Sequence, residues 1–297
     1  MRTRLVTFLQ AGVARPGVLL NDVEALDLEA AGLPYASMQQ VVEAGLQALD
    51  AIRAAARTPR TAAVRPLAEA RLLAPMPRPR RNVFCVGRNY MDHVAEGDRT
   101  RGIEKSEPPR YPQFFTKAPE CVIGPGEDIP DHAGTTQWLD YEVELAAVIG
   151  REGRDIPAER ALDHVWGWTV GNDVTGRDLQ RRHGQWFKGK SLDRSCPLGP
   201  CIVPAAELDA LDTGIRCRVN GETRQDSRTG KMIFDVREIL RQLSVGFTLR
   251  PGDVVMTGTP EGVGYAMQPP RTLKDGDVVE CEIDGIGTLR NTVRAGA

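Results

Sequence analysis

Beyond residue 82, the chain consists of short apolar runs that are separated by glycine and proline. Runs bounded by such turn residues are typical of buried strands and are too short for most helices. They occupy residues 83–86, 114–116, 142–149, 166–170, 215–219, 254–257 and 278–283. One helix is expected at 235–243, where apolar residues recur at helical spacing. The pattern predicts an α+β, strand-rich fold.

The first eighty residues follow a different pattern. Alternating apolar residues and intervening glycines predict a hairpin between residues 5–9 and 17–20. Ser37 is a predicted N-cap, and helical spacing continues from residue 38 to residue 57. Residues 73–81 carry three prolines, which exclude regular structure and stiffen the chain. We therefore predict a small N-terminal α/β domain at 1–74, a proline-rich linker at 75–81 and a larger domain at 82–297.

The composition argues against several kinds of partner. The formal net charge is −2 and the pI about 6.2, so the chain lacks the positive field that attracts nucleic acid or anionic lipid. The apolar run at 5–9 is too short for a secretory signal, and no apolar stretch approaches the ~18 residues of a membrane span. The six cysteines show no Cys-x-x-Cys spacing, which favours buried free thiols over zinc or redox sites. We expect a cytoplasmic protein with no nucleic acid or membrane partner.

Two glutamates alternate with apolar residues at the start of the run at 142–149. The period of two places Glu142 and Glu144 on one face of a strand, with α-carbons roughly 6 to 7 Å apart. Solvated glutamates are the usual outcome for a Glu-x-Glu pattern. Here the apolar residues at 146–149 indicate burial, and two buried like charges repel unless they share a proton or a cation. The segment favours a cation site.

A third acid follows the next predicted strand. Residues 166–180 run from an apolar strand into a polar turn that contains Asp173, Arg177 and Asp178. Asp173 can complete the set of carboxylates, whereas Asp178 could equally be a helix cap or a partner for Arg177. Three oxygen ligands suit Mg²⁺ or Mn²⁺ better than zinc, which prefers histidine and cysteine.

Two further segments carry basic residues. Lys188 and Lys190 flank a glycine in a mostly apolar stretch, and an inward Lys190 would suit a carboxylate or an oxyanion. His93 and Glu96 share one face of a predicted helix, so the carboxylate can orient the imidazole and the pair could activate a water. Either segment alone is also compatible with an exposed surface. The connection at 97–113 is long enough for a lid, and a solvated loop is an equal alternative.

The order of these motifs resembles the fumarylacetoacetate hydrolase family, notably its acylpyruvase and fumarylpyruvate hydrolase branch. The resemblance covers residues 82 to about 293. The motifs are Gly-Arg-Asn-Tyr at 87–90 with His-x-x-Glu at 93–96, Tyr-Glu-Val-Glu-Leu at 141–145, Asn-Asp-Val-Thr-Gly-Arg-Asp-Leu-Gln at 172–180, Gly-Lys-Ser at 189–191 and Thr-Gly-Thr-Pro-Glu-Gly-Val-Gly at 257–264. The last motif lacks the lysine of a phosphate-binding loop, so a tight turn that lines a pocket is expected.

The resemblance implies a mixed β-sheet roll and assigns roles to individual residues. It places Glu142, Glu144 and Asp173 on the metal ligands, with Mg²⁺ or Mn²⁺ as the cofactor. Catalytic roles are implied for three residues, His93 and Glu96 as the water-activating pair of a lid and Lys190 as the active-site lysine. Substrate binding is implied for Arg88, Tyr90, Lys117, Gln180 and Thr259. Family members are commonly homodimers, so a homodimer is expected.

The implied reaction is the metal-dependent hydrolysis of a carbon–carbon bond. An acylpyruvate, a 2,4-dioxo acid such as fumarylpyruvate or acetylpyruvate, would yield pyruvate and a carboxylic acid. The alternatives are an oxaloacetate decarboxylase, a 2-hydroxydienoate isomerase or decarboxylase of aromatic catabolism, a 2-oxo-4-enoate hydratase, and a binding protein that has lost the chemistry. The acyl group is not identified by the sequence. Arg177, Arg181, Arg182 and His183 hint at a second anionic end, although exposed arginines are the more common explanation.

Overall fold

The computed structural model describes residues 2–295. Met1, Gly296 and Ala297, which fall in the predicted N-terminal and larger domains, lie outside the described residues. Five α-helices are present in the described part: α1 (Met38–Arg57), α2 (Met91–Arg99), α3 (Arg177–Arg182), α4 (Phe187–Lys190) and α5 (Val236–Ser244). Within residues 2–295, no helix combines the length and the apolar character that crossing a bilayer requires.

Nineteen strands carry the architecture of the described residues, in agreement with the predicted strand-rich α+β fold. The first ten are β1 (Leu5–Gln10), β2 (Val13–Leu19), β3 (Glu24–Asp27), β4 (Val64–Pro66), β5 (Arg71–Leu73), β6 (Val83–Gly87), β7 (Gln113–Lys117), β8 (Val122–Ile123), β9 (Ile129–Pro130) and β10 (Leu139–Asp140). The remaining nine are β11 (Val143–Ile149), β12 (Val165–Asn172), β13 (Thr175–Gly176), β14 (Cys196–Pro204), β15 (Gly214–Val219), β16 (Glu222–Arg228), β17 (Val254–Met256), β18 (Val278–Ile283) and β19 (Gly287–Arg294).

Two large sheets form the body of the fold. The first has twelve strands along the order β4-β3-β2-β1-β14-β12-β11-β17-β6-β7, with β5 on β1 and β8 on β14. Most of its neighbours are antiparallel, but β17 pairs with β6 in parallel, so the sheet is mixed. The second sheet has five strands in the order β16-β15-β18-β19-β9. It contacts β11, β12 and β14 of the first sheet, and apolar side chains such as Leu145, Val170 and Cys281 fill the space between them.

Strand β11 lies near the centre of the first sheet. Its register pairs Leu145 with Val170 of β12, and Ala147 with Val255 of β17. All seven of its residues are buried, because it has a strand on each side and a packed layer on each face. This burial is what the apolar residues at 146–149 predict, and it carries Glu144 into the interior.

The N-terminal strands extend the same sheet. The predicted hairpin is confirmed as β1 and β2, with Leu5 opposite Val18, and β1 continues onto β14 through Leu5 and Ile202. Helix α1 has the predicted bounds, and the Ser37 side chain accepts a hydrogen bond from the Gln40 amide. The helix is kinked at Gly45, whose φ of 64° is non-helical, a break that the apolar spacing does not predict. The division into domains at 74 and 81 stays a prediction.

Strand β14 was not predicted. Its segment, Cys-Pro-Leu-Gly-Pro-Cys-Ile-Val-Pro, contains prolines that cannot donate to a neighbouring strand and therefore resembles a loop. In the structure it runs between β1 and β12, and the register shifts between Trp168 and Val170. Pro200 lies in the stretch of β14 opposite this irregularity, where a ladder hydrogen bond is not required.

The six predicted free cysteines are all buried and unpaired.

Candidate active site

Three carboxylates converge where β11 and β12 meet. Glu142 directly precedes β11, Glu144 is its second residue, and Asp173 directly follows β12. The antiparallel register pairs Val143 with Asn172, and the Asp173 amide donates to the Glu142 carbonyl at 2.8 Å. One carboxylate oxygen from each acid lies within 4.8 Å of the others, and all three side chains are buried. We call these three residues the acidic triad.

Two cations compensate part of the triad. The Lys190 ammonium donates to Glu142 Oε2 and to Asp173 Oδ2, at 2.6 Å each. Arg177 Nη2 lies 2.6 Å from Glu142 Oε1. Burial opposes the charged form of Glu142, but Arg177 and Lys190 outweigh it and hold its pKa well below the ordinary range. Lys190 has a raised pKa, because Asp173 and Glu142 outweigh its own burial. Glu142 is thus ionised and Lys190 charged at neutral pH.

Glu144 is the least compensated acid of the triad. Within residues 2–295 it forms no ion pair with lysine or arginine, and its Oε2 accepts only the Gly258 amide, at 2.8 Å. Burial raises the pKa of Glu144, and the negative charges of Asp173 and Glu142 raise it further. A bound cation would remove this repulsion. Three buried oxygen donors at these distances therefore fit a hard divalent ion such as Mg²⁺ or Mn²⁺.

Lys117 lies behind the triad and does not line the cleft. Its ammonium is fully buried and donates to Asp173 Oδ1 at 2.8 Å and to the Val174 carbonyl at 3.0 Å. It also donates to the Lys190 carbonyl. Although burial opposes its charged form, Asp173 raises its pKa. These contacts fix Asp173 and the end of α4, so the predicted substrate contact of Lys117 would require a different arrangement of the side chain.

His93 and Glu96 meet on helix α2, as their spacing predicts. Glu96 Oε1 is 2.8 Å from His93 Nδ1, and Glu96 Oε2 accepts the Gly262 amide at 2.9 Å. Because Nδ1 faces the carboxylate, Nε2 is the ring nitrogen left for proton exchange. His93 also lines the cleft next to Glu142, on whose carboxylate it exerts an electrostatic influence.

The glycine-rich segment at 257–264 is a turn whose amides hold carboxylates. Gly258, Gly262 and Gly264 donate to Glu144, Glu96 and Asp140, respectively. Gly258 has a φ of 100°, and a Cβ there would lie 2.7 Å from the Cβ of Asn89, so only glycine fits without strain. The turn thus aligns one acid of the triad and the acid that orients His93, as the expected pocket-lining turn would.

Two acids of the triad, Glu142 and Glu144, line a cleft of about 300 Å³, and Asp173 is buried beside them. Of the five residues predicted to bind substrate, Arg88, Gln180 and Thr259 line it. Tyr90 does not line the cleft, is buried, and its hydroxyl has no hydrogen-bond partner among the described residues. Lys190 is buried at the cleft floor while Lys188 is exposed, so the inward lysine is the one that would suit a carboxylate or an oxyanion.

The sequence patterns did not predict the ion pair between Asp140 and Arg177. Arg177 Nε donates to Asp140 Oδ2 at 2.9 Å, and its guanidinium carbon lies 4.3 Å from the centre of the Tyr265 ring. Asp140 adjoins the Tyr-Glu-Val-Glu motif, so its position next to the triad was the available signal. Asp178, for which the sequence left open a helix cap or a pairing with Arg177, instead accepts a hydrogen bond from the Thr136 hydroxyl.

The structure therefore combines a strand-rich α+β fold with a cleft whose buried carboxylates fit a divalent metal ion, an arrangement typical of metal-dependent enzymes. A family model described as "Fumarylacetoacetate (FAA) hydrolase C-terminal" matches residues 82–294. The chain therefore belongs to the fumarylacetoacetate hydrolase family, as the resemblance predicted.

Three similar proteins carry different activities in their names. "Oxaloacetate tautomerase YisK" of Bacillus subtilis is 46% identical over 228 residues, which are 76% of this chain and 74% of that protein. The structure of "Fumarylacetoacetate hydrolase (EaFAH) from psychrophilic Exiguobacterium antarcticum" is 44% identical with a TM-score of 0.82, covering 99% of this chain and 100% of that one. A 2-hydroxyhepta-2,4-diene-1,7-dioate isomerase from Mycobacterium marinum is 32% identical with a TM-score of 0.76, covering 99% of each chain.

Proposed function

We propose that this protein is a divalent-metal-dependent enzyme that transfers a proton on a 2-oxo acid and so interconverts its keto and enol forms. The observation that carries the proposal is the position of one orientated imidazole, His93, on the wall of a cleft that is also lined by Glu142 and Glu144 of the acidic triad. In such a site, the His93 imidazole can accept and return a proton, and a metal ion held by the acidic triad would stabilise the enolate. The names of the tautomerase and the isomerase support this reaction over the acylpyruvate hydrolysis predicted from the sequence.

Glu142, Glu144 and Asp173 would hold the metal ion. The chemistry that a bound Mg²⁺ or Mn²⁺ supplies is Lewis-acid polarisation of the 2-oxo group, which makes the adjacent C–H bond more acidic. Lys190 keeps two of these carboxylates in place through its hydrogen bonds of 2.6 Å. Its ammonium also puts a fixed positive charge at the cleft floor, where negative charge develops on the substrate.

His93 carries the proton. In the keto-to-enol direction, Nε2 accepts a proton from the carbon next to the 2-oxo group, and the C–H bond electrons form the carbon–carbon double bond. The imidazolium then returns the proton to the enolate oxygen, so that the substrate and product have the same atoms. Glu96 stabilises the imidazolium through Nδ1, and the Gly262 amide holds Glu96 in position.

The test is the rate at which the enol of oxaloacetate converts to the keto form in the Mn²⁺-loaded protein, followed by its ultraviolet absorbance. His93→Ala should lower kcat by about 10²- to 10⁴-fold, the usual contribution of a positioned general acid–base. The affinity for Mn²⁺, measured by calorimetry, should be unchanged because His93 is not among the proposed ligands. Asp92→Asn is the matched control, since Asp92 is exposed on the same turn of α2. Equal rates in His93→Ala and wild type would refute the assignment.

Hydrolysis of an acylpyruvate is the second candidate, because the His93–Glu96 pair could also activate a water. The name of the hydrolase from Exiguobacterium antarcticum supports it. Three products separate the reactions: keto oxaloacetate from its enol, carbon dioxide from oxaloacetate, and pyruvate from a 2,4-dioxo acid. Metal binding without any of these turnovers would favour a binding protein. The cytoplasmic location and the homodimer remain predictions.

A further inference from the structure

The cations that line the cleft differ in how far carboxylates compensate them. Arg88 and Arg101 both contact Asp98, whereas Arg177 and Lys190 contact carboxylates at the cleft floor. Arg181 also lines the cleft, but within residues 2–295 it forms no ion pair and no side-chain hydrogen bond. Its five N–H donors are therefore free for a ligand.

Aromatic rings orient the Arg181 guanidinium. Its central carbon lies 5.3 Å from the centre of the Trp138 ring and 5.3 Å from that of Tyr265. Tyr265 also faces Arg177, at 4.3 Å, so one ring spans both arginines. A guanidinium held in this way loses less conformational freedom on binding than a solvated one.

Arg181 lies about one helical turn after Arg177 and, unlike Arg177, forms no ion pair with the acidic triad among residues 2–295. The two residues are four apart on α3, so they project from the same face about 6 Å apart along the helix axis. Arg177 contacts Glu142, next to the place where the 2-oxo acid group would bind, and Arg181 lies about 6 Å along the helix from Arg177. This distance is comparable to the length of a chain of about four or five carbons.

The charges at the cleft floor can be balanced without Arg181. Lys117, Lys190 and Arg177 offset three of the four buried carboxylates formed by the triad and Asp140. A divalent ion together with one substrate carboxylate would balance the remainder. Arg181 is exposed at the edge of the cleft, where a second anionic group, farther along the substrate, would pair with it.

We propose that Arg181 binds the distal carboxylate of the substrate and thereby makes this protein selective for 2-oxo dicarboxylic acids. The planar fork of an arginine matches a carboxylate with two parallel hydrogen bonds. The inference rests on the proposed function for the location of the 2-oxo acid group, and it goes further by naming the class of substrate and the residue that selects it.

The experiment compares two stable probes of equal length, 2-oxoglutarate and 2-oxopentanoate, which differ in the distal carboxylate. Their dissociation constants are measured by calorimetry on the Mn²⁺-loaded protein, so the readout does not depend on turnover. Wild type should bind 2-oxoglutarate at least about tenfold more tightly, the usual effect of a charged hydrogen-bonded pair. Arg181→Gln should abolish this preference and leave the affinity for 2-oxopentanoate within about twofold.

Arg182→Gln is the matched control. Arg182 is exposed on the same short helix, does not line the cleft and has the same charge, so its removal changes the long-range field equally. It should keep the preference for 2-oxoglutarate. Arg181→Lys retains the charge but not the fork, and should retain only part of the preference.

Three results would overturn the inference. The first is an absence of preference in the wild type, including a failure of 2-oxoglutarate to bind. The second is an unchanged preference in Arg181→Gln, and the third is an equal loss in Arg181→Gln and Arg182→Gln. If Arg181→Gln melts at a lower temperature than wild type, Arg181→Lys replaces it as the test. Full preference for 2-oxoglutarate in Arg181→Lys would contradict a contact that depends on the two parallel hydrogen bonds of the guanidinium. Failure of the proposed function would look different: the protein would show no keto–enol turnover and would still prefer 2-oxoglutarate over 2-oxopentanoate.

Discussion

Replacing Glu144 with glutamine should change the stability of the metal-free and the metal-loaded protein in opposite directions. The side chain keeps its size, and its carbonyl oxygen can still accept the Gly258 amide. What it loses is a buried ionisable group that, when charged, lies within 4.8 Å of two other carboxylates and whose pKa is raised for that reason. At that separation two unit charges repel by about 3.5 kcal/mol at an effective dielectric constant of ~20. The attraction of Lys190 offsets part of this repulsion, so we expect the free energy of unfolding of the metal-free protein to rise by about 1 to 2 kcal/mol.

The metal-loaded protein should respond in the other direction. A ligand at a hundred times its Kd stabilises a folded protein by about 2.7 kcal/mol. For a chain of 297 residues, this free energy corresponds to a rise in Tm of about 4 °C. Glu144→Gln removes one of the three proposed ligands, so the same concentration of Mn²⁺ should shift the Tm of the variant by less than about 1 °C.

Differential scanning calorimetry with EDTA and with Mn²⁺ measures both effects in one preparation. Glu120→Gln is the control, since Glu120 is exposed and distant from the triad along the chain. Its Tm should match that of the wild type in both conditions. If Glu144→Gln destabilised the metal-free protein and retained the full Mn²⁺ shift, Glu144 would be an ordinary structural carboxylate and the argument for a metal site would fail.

Two further substitutions test other parts of the site. Lys190→Met should lower the free energy of unfolding of the metal-free protein by about 3 kcal/mol, because it leaves two buried carboxylates without a shared partner. Urea denaturation measures this change. A loss below about 1 kcal/mol would contradict the pairing. Tyr90→Phe should leave stability unchanged or raise it by up to about 1 kcal/mol, because the buried hydroxyl has no partner in the described structure. Its kcat/KM for oxaloacetate should stay within about twofold of wild type, and a fall of more than about fivefold would support the substrate contact expected from the family resemblance.

Local patterns predicted the elements that build the site. The alternation at 142–144 followed by apolar residues fixed a buried strand that carries two acids, since side chains on a strand alternate between its faces. Helical spacing likewise brought His93 and Glu96 together, because residues three apart share a helix face. The resemblance then supplied the roles of these residues, and the fold class and the family were confirmed.

Contacts between distant segments were decided by the tertiary structure alone. Lys117 was expected at the substrate, yet it is 56 residues from Asp173 and is paired with it behind the triad. Likewise, Arg177 pairs with Asp140, which is 37 residues away, and β14 fills the centre of a sheet despite its prolines. The sequence determined which residues carry charge and which face of its own helix or strand each one occupies. Which charges meet depends on sheet order and register, because these bring together residues that no local period relates.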